Sequence, residues 1–197
     1  MLYLLLYSLH GEFSFLNVVR YLSFRIIYAA ITAFLIVFVL APPVIRKLQE
    51  IRLGQTIRDD VPNRHLSKTG TPTMGGVLIL FSFILSTLLW ADVTNLYVWL
   101  VIMATLGFGL VGFADDYLKF VRGQSKGLSV LQKITAQGVV ALGIGVYFYF
   151  LPAYSTILSV PFFKNFTPDL GLFYIPFAIL VIVGSSNAVN LTDGLDG

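Results

Sequence analysis

Val93-Thr-Asn-Leu-Tyr-Val-Trp-Leu-Val-Ile-Met-Ala-Thr-Leu-Gly-Phe-Gly-Leu-Val-Gly-Phe-Ala114 carries no charged side chain, and Asp115-Asp116-Tyr117 follows it at once. A run of this kind matches the roughly 20 apolar residues that a helix needs to cross the hydrocarbon core of a bilayer. Four more charge-free windows lie around it. Residues 26–45 lie between Arg25 and Arg46, residues 69–91 between Lys68 and Asp92, and residues 170–192 between Asp169 and Asp193. The fifth follows Lys133 and runs to position 163, with Pro152 expected to end its helix. The predicted spans are therefore about 26–45, 70–91, 95–114, 134–151 and 171–190, within a single transmembrane domain over 1–197. The expected fold class is an all-α polytopic membrane protein with five transmembrane helices.

Composition agrees. The chain is 57% hydrophobic and only 12% charged, where soluble domains carry about 25%. A soluble helical core is excluded because too little polar surface remains to solvate an exterior. The absence of cysteine excludes disulfides and thiolate metal sites. Met1-Leu-Tyr-Leu-Leu-Leu-Tyr-Ser-Leu9 lacks the basic start and small-residue cleavage site of a signal peptide, so it is expected to lie in the headgroup region with residues 12–24.

Ten of the thirteen Lys and Arg residues fall in two loops, 46–68 and 115–133, and the positive-inside rule places both in the cytoplasm. The N-terminus is then outside and the end of the fifth span inside. Three unusual segments are thereby predicted on the cytoplasmic side: Thr71-Pro-Thr-Met-Gly-Gly76, Asp115-Asp116-Tyr117, and Asn187-Ala-Val-Asn190-Leu-Thr-Asp193-Gly-Leu-Asp196-Gly197.

Asp115 and Asp116 are predicted at the end of the third span. Unpaired acids near hydrocarbon are costly, and acids at a helix C-terminus oppose its macrodipole. A solvated helix end is the bland reading; a divalent cation or nearby lysines would relieve both penalties. Mg²⁺ suits such a place, because it takes oxygen ligands and shares itself between one or two carboxylates and substrate phosphates. Asn187, Asn190, Asp193 and Asp196 recur every third residue and fan across about half of a regular helix. A C-terminal cap needs one Asn and one Gly. Four polar side chains exceed that, and unwinding at Gly194 and Gly197 would let them converge on a base or ribose. Thr71 to Gly76 reads as an ordinary helix start with Pro near the first position, whose N–H groups also attract phosphate. Lys126 and Lys133 serve mainly as positive-inside charge, Lys68 is the better phosphate partner, and His65 is a solvated loop residue. Trp90, Tyr97 and Trp99 are interface anchors.

Lys68-Thr-Gly-Thr-Pro-Thr-Met-Gly-Gly76, Gly112-Phe-Ala-Asp-Asp-Tyr117, Lys126-Gly-Leu128 and the 187–197 run, in this order, resemble the phospho-N-acetylmuramoyl-pentapeptide transferase (MraY) family. That resemblance implies the first half of a ten-helix, dimeric enzyme of the bacterial inner membrane, truncated C-terminally here. The family moves phospho-MurNAc-pentapeptide from UDP to undecaprenyl phosphate with Mg²⁺, giving lipid I and UMP for peptidoglycan synthesis. Carried over by position, Asp115 is the candidate base and Asp116 the supporting metal and phosphate group, both being candidate metal ligands. Lys68, Thr73, Asn187, Asn190, Asp193 and Asp196 match the nucleoside and diphosphate pocket, and Lys126 and Lys133 are diphosphate contacts. The family's third essential aspartate and its His-rich loop would lie beyond Gly197, so the chain alone is expected to be inactive. Nucleic acid is not an expected partner. The competing expectations are a sister polyprenyl-phosphate GlcNAc-1-phosphate transferase, a non-catalytic membrane module, and a transporter, the last opposed by the lack of mid-membrane acids.

Overall fold

The computed structural model describes residues 1–52, 74–122, 127–151, 154–163 and 165–194. They form two units, Met1–Gly127 and Leu128–Gly197. The first holds α1 (Leu2–Ser8), a 3₁₀ segment (Ser14–Arg20), α2 (Leu22–Arg52), α3 (Gly76–Trp90) and α4 (Leu96–Arg122). The second holds α5 (Val130–Phe150), a 3₁₀ turn (Gly171–Phe173) and α6 (Tyr174–Gly194). No strand occurs among the described residues beyond one isolated antiparallel bridge, Ile157 to Asp169.

Burial runs opposite to that of a soluble protein. Among the described residues the buried apolar side chains are Val19, Trp90, Ile102, Ala141 and Ala178, while Phe34, Phe38, Ile79, Met103 and Leu110 stand exposed. Apolar surface on this scale needs lipid around it. Among the described residues four helices are long and apolar enough to cross a membrane: Leu22–Glu50, Leu96–Val121, Val130–Phe150 and Gly171–Val189. Five were predicted. The second predicted span corresponds to α3, whose 15 residues reach about 22 Å, less than a hydrocarbon core of about 30 Å. The predicted start of that span, 70–73, lies outside the described residues.

In the first unit α3 packs against α2 and α4. The buried side of α3 is a stripe of Ser82, Ser86 and Trp90, four residues apart. Both hydroxyls donate back to their own helix, Ser82 to the Ile79 carbonyl at 2.9 Å and Ser86 to Phe83 at 3.0 Å. Small side chains with internally satisfied polar atoms allow close approach, which drives packing where lipid removes the hydrophobic contribution. Trp90 closes the interface by donating its ring N–H to Thr32 Oγ1 at 2.9 Å, beside the rings of Phe24 and Tyr28. Pro42 and Pro43 lie within α2 and remove two ladder donors. Arg46 Nε donates to the Pro42 carbonyl at 3.4 Å.

The N-terminal stretch forms two short helical pieces tied to the C-terminal end of α3. The Met1 amine donates to the Leu88 carbonyl at 2.5 Å, and Arg25 lies 4.3 Å from the Tyr3 ring centre. Burial pushes the amine's pKa down, with Asp92 opposing that shift. The Thr94 hydroxyl and backbone N–H hold the Asp92 carboxyl below its ordinary range.

In the second unit α5 and α6 pack through small groups. Gln137, Ala141 and Gly145 are the buried stripe of α5. A Cβ at Gly145 would already touch Ala178 Cβ and the Ile175 carbonyl at 3.6 Å. The N-terminus of α5 is closed by a capping box: Ser129 accepts from the Gln132 N–H, and the Gln132 side chain accepts from the Ser129 N–H.

Candidate functional site

The acid pair lies within α4, not at its end. The helix continues to Arg122, so Asp115 and Asp116 precede the last turn, where Lys119 and Arg122 are the residue types that a helix C-terminus favours. The charge-free window ended at 114, but a helix is not obliged to stop where lipid does. Continuation places Lys119 at i+4 from Asp115 and i+3 from Asp116. Its ammonium lies 2.6 Å from Asp115 Oδ2 and 3.3 Å from Asp116 Oδ1. The expected relief of the paired charges is thus supplied by Lys119, which sequence reading had counted only among the loop cations. The i+3 and i+4 spacing was the signal that could have found it. The Asp115 side chain is only 14% exposed, so this pairing acts in a partly dehydrated place. Tyr117 stacks on Phe113 with ring centres 6.0 Å apart.

Gly127 is the second residue that sequence reading missed. A Cβ there would collide with the Asp115 carboxylate Oδ1, and would lie 2.6 Å from the Asp115 backbone oxygen and 2.9 Å from its Cγ. At Gly127 the chain thus passes against the acid so closely that only glycine fits. The signal was the glycine of Lys126-Gly127-Leu128, between a lysine and an apolar residue, quoted for its cation and not for its lack of a side chain.

Of the Thr-Pro-Thr-Met-Gly-Gly motif at 71–76, Met74, Gly75 and Gly76 lie among the described residues, at the head of α3. Met74 has φ +73°, a left-handed conformation disfavoured for a residue with a Cβ, and its carbonyl accepts from the Val77 N–H at 3.2 Å. Lys68 and Thr73 lie outside the described residues, as do Lys126 and Asp196.

In the second unit Lys133 is half-buried in the first turn of α5, a cation at the positive end of a helix. Asn187 has a packing role. Its Nδ2 donates to the buried Gln137 Oε1 at 2.7 Å and to the Val183 carbonyl at 2.8 Å, tying α6 to α5. Asn190 and Asp193 lie on α6, which is helical as far as Gly194, and the residues after it, where unwinding was expected, lie outside the described residues. Over the described turns these positions therefore keep their helical spacing.

The donor set suits a hard divalent cation in chemistry: two adjacent carboxylates, one largely enclosed, whose charge is met by a displaceable ammonium. No cluster of three His, Asp or Glu side chains forms among the described residues, so substrate oxygens or other residues would complete the shell.

Comparison with known proteins bears on this arrangement. The model of glycosyl transferase family 4 matches residues 98–197, half of the chain, including the acid pair. The chain belongs to glycosyl transferase family 4. Within that family, residues 68–80 match signature 1 of phospho-N-acetylmuramoyl-pentapeptide-transferase, a stretch that runs into the head of α3. Proteins named phospho-N-acetylmuramoyl-pentapeptide-transferase are similar along the whole chain: 56% identical in Syntrophus aciditrophicus, 54% in Citrifermentans bemidjiense and 53% in a Geobacter species. The chain spans about half the length of these curated relatives, 55% of each. This family 4 member is thus a multi-pass bacterial membrane protein.

Proposed function

We propose that the chain supplies part of a transferase that moves phospho-MurNAc-pentapeptide from UDP to undecaprenyl phosphate, forming lipid I and UMP. The observation that carries this reading is the Asp115–Lys119–Asp116 cluster with Gly127 against Asp115, inside the segment that the family model matches. Signature 1 supports the muramoyl-pentapeptide substrate over the GlcNAc sister reaction.

In this reaction an oxygen of the lipid phosphate bonds to the sugar-linked phosphorus, and the bond bridging the two phosphates breaks to release UMP. Such a transfer depends on alignment and charge neutralisation. Asp115, partly shielded from water, acts as base on the lipid phosphate. Asp116, more exposed, supports the phosphates and, with Asp115, would hold Mg²⁺. When bound, Mg²⁺ supplies neutralising charge to the phosphate oxygens. Lys119 offsets the charge of the two neighbouring acids. Lys68, Lys126 and Lys133 offer positive charge to the diphosphate, and Thr73 offers its hydroxyl. Asn190, Asp193 and Asp196 offer amide and carboxylate edges to the nucleoside, with Asn187 fixing their helix. The basic loops support a cytoplasmic exposure of these groups and an external N-terminus. By resemblance the complete protein pairs with a second copy.

The test is a chimera in which these 197 residues replace the matching part of the Syntrophus aciditrophicus relative, assayed for UMP release. Asp115→Asn should lower kcat by about a thousandfold or more, within the range a general base contributes. A chimera that keeps its turnover after the Asp115→Asn substitution would refute the assignment and favour a scaffold.

A further inference from the structure

The segment joining α5 to α6 is a closed hairpin with an aromatic tip. The Leu158 N–H donates to the Pro168 carbonyl at 2.9 Å and the Leu170 N–H to the Thr156 carbonyl at 3.1 Å, on either side of the Ile157–Asp169 bridge. The Thr156 hydroxyl donates to Asp169 Oδ1, which also accepts the Gly171 N–H at 3.0 Å. At the base, the Tyr154 ring sits between Phe148 and Tyr174, and the Tyr174 hydroxyl donates to the Tyr154 hydroxyl at 3.1 Å. This framework ties the hairpin to the ends of two membrane-crossing helices.

The tip contrasts with this ordered base. Phe162 has φ +70° and its side chain is fully exposed, with Phe163 and Phe166 also exposed. A left-handed phenylalanine is sterically disfavoured, and three phenylalanines in water oppose the hydrophobic effect. Leu172 and Phe173, at the start of the next membrane span, are exposed as well. The tip is thus continuous with surface that lipid already covers. The cluster of exposed phenylalanines points to an environment other than water. Aromatic rings are favoured at the boundary between headgroups and acyl chains, where the hairpin's attachment holds it.

We propose that this hairpin is a membrane-interface anchor, with Phe162, Phe163 and Phe166 inserted into the headgroup–acyl boundary of the leaflet at the C-terminal end of α5. Its partner is the lipid surface. The anchor fixes the depth of the α5–α6 pair, and so the level at which the other end of the pair, with Asn187, meets its own leaflet.

The chain has no cysteine, so single labels are unambiguous. Phe162→Cys and, separately, Phe166→Cys would each carry a nitroxide in the full chain in lipid nanodiscs. Collision with oxygen, which concentrates in lipid, is compared with collision with a water-soluble nickel chelate. The proposal expects both labels to be oxygen-accessible and shielded from the chelate. Chelate access equal to that of a water-exposed site would overturn it. Shielding from both reagents would also overturn it, because a protein surface or a second copy would then cover the tip. If one variant fails to fold, the other position decides.

Discussion

Gly127→Ala is the substitution whose consequence the structure defines most sharply. The added Cβ would stand 2.6 Å from the Asp115 backbone oxygen, whereas ordinary contact begins at 3.4 Å, so the two must separate by 3.4 − 2.6, or 0.8 Å. That oxygen belongs to the backbone of α4 and cannot turn aside as a side-chain tip could. The loop must shift, or the Asp115 carboxylate must swing away, since Oδ1 and Cγ are met too. Overpacking of this kind costs about 1–3 kcal/mol. Displacement of a reacting group by about 1 Å costs about a hundredfold in rate. In the chimera described above, kcat for UMP release should fall about 10- to 100-fold, with KM for the nucleotide sugar changed much less. Gly138→Ala, on α5 where a Cβ meets nothing within 4 Å, is the matched control and should leave turnover unchanged. It should also stabilise the helix by up to about 1 kcal/mol. Wild-type turnover in a folded Gly127→Ala chimera would refute the close approach and the role it implies.

Further outcomes follow from the second unit. Gln137→Leu leaves the Asn187 amide without its 2.7 Å partner and should destabilise the α5–α6 pair by about 1 kcal/mol, while the double variant Gln137→Leu/Asn187→Leu should recover most of that loss; unfolding titrations in mixed micelles measure both. The Thr156 hydroxyl and the Gly171 N–H hold the Asp169 carboxyl below its ordinary value. Its contribution to hairpin closure is therefore present above the unfolded value of about 4 and is lost as pH falls through the lower folded value. Amide exchange at Leu158 and Leu170 should accelerate in that acid window, and Asp169→Asn should abolish the pH dependence.

The membrane architecture was legible because lipid imposes a simple rule: charges bound the windows, and among the described residues four of the five windows correspond to helices long enough to cross. The same rule misplaced helix ends. It stopped the third span at 114, yet α4 runs to Arg122, because backbone hydrogen bonding continues beyond the lipid where cations complement the last turn. Hence relief of the acids by nearby lysines was expected, but Lys119 was not singled out, because its i+4 and i+3 spacing matters only if the helix runs on. The polar series at 187–196 was visible as an excess over capping needs. That Asn187 would spend its amide on Gln137 was not, because it depends on which faces of α5 and α6 meet. Gly127 and the left-handed Phe162 escaped for a related reason: close approach and backbone strain belong to three-dimensional placement and leave no periodic trace.

The central claim is that the Asp115–Asp116 end of α4 faces the compartment where nucleotide sugars are made. With no native cysteine in the chain, Gln124→Cys in the basic loop and Asn95→Cys in the exposed turn before α4 can be probed on intact cells with a membrane-impermeant maleimide. Labelling is expected at 95, and at 124 only once the membrane is opened. Labelling of 124 on intact cells, with 95 protected, would contradict that orientation.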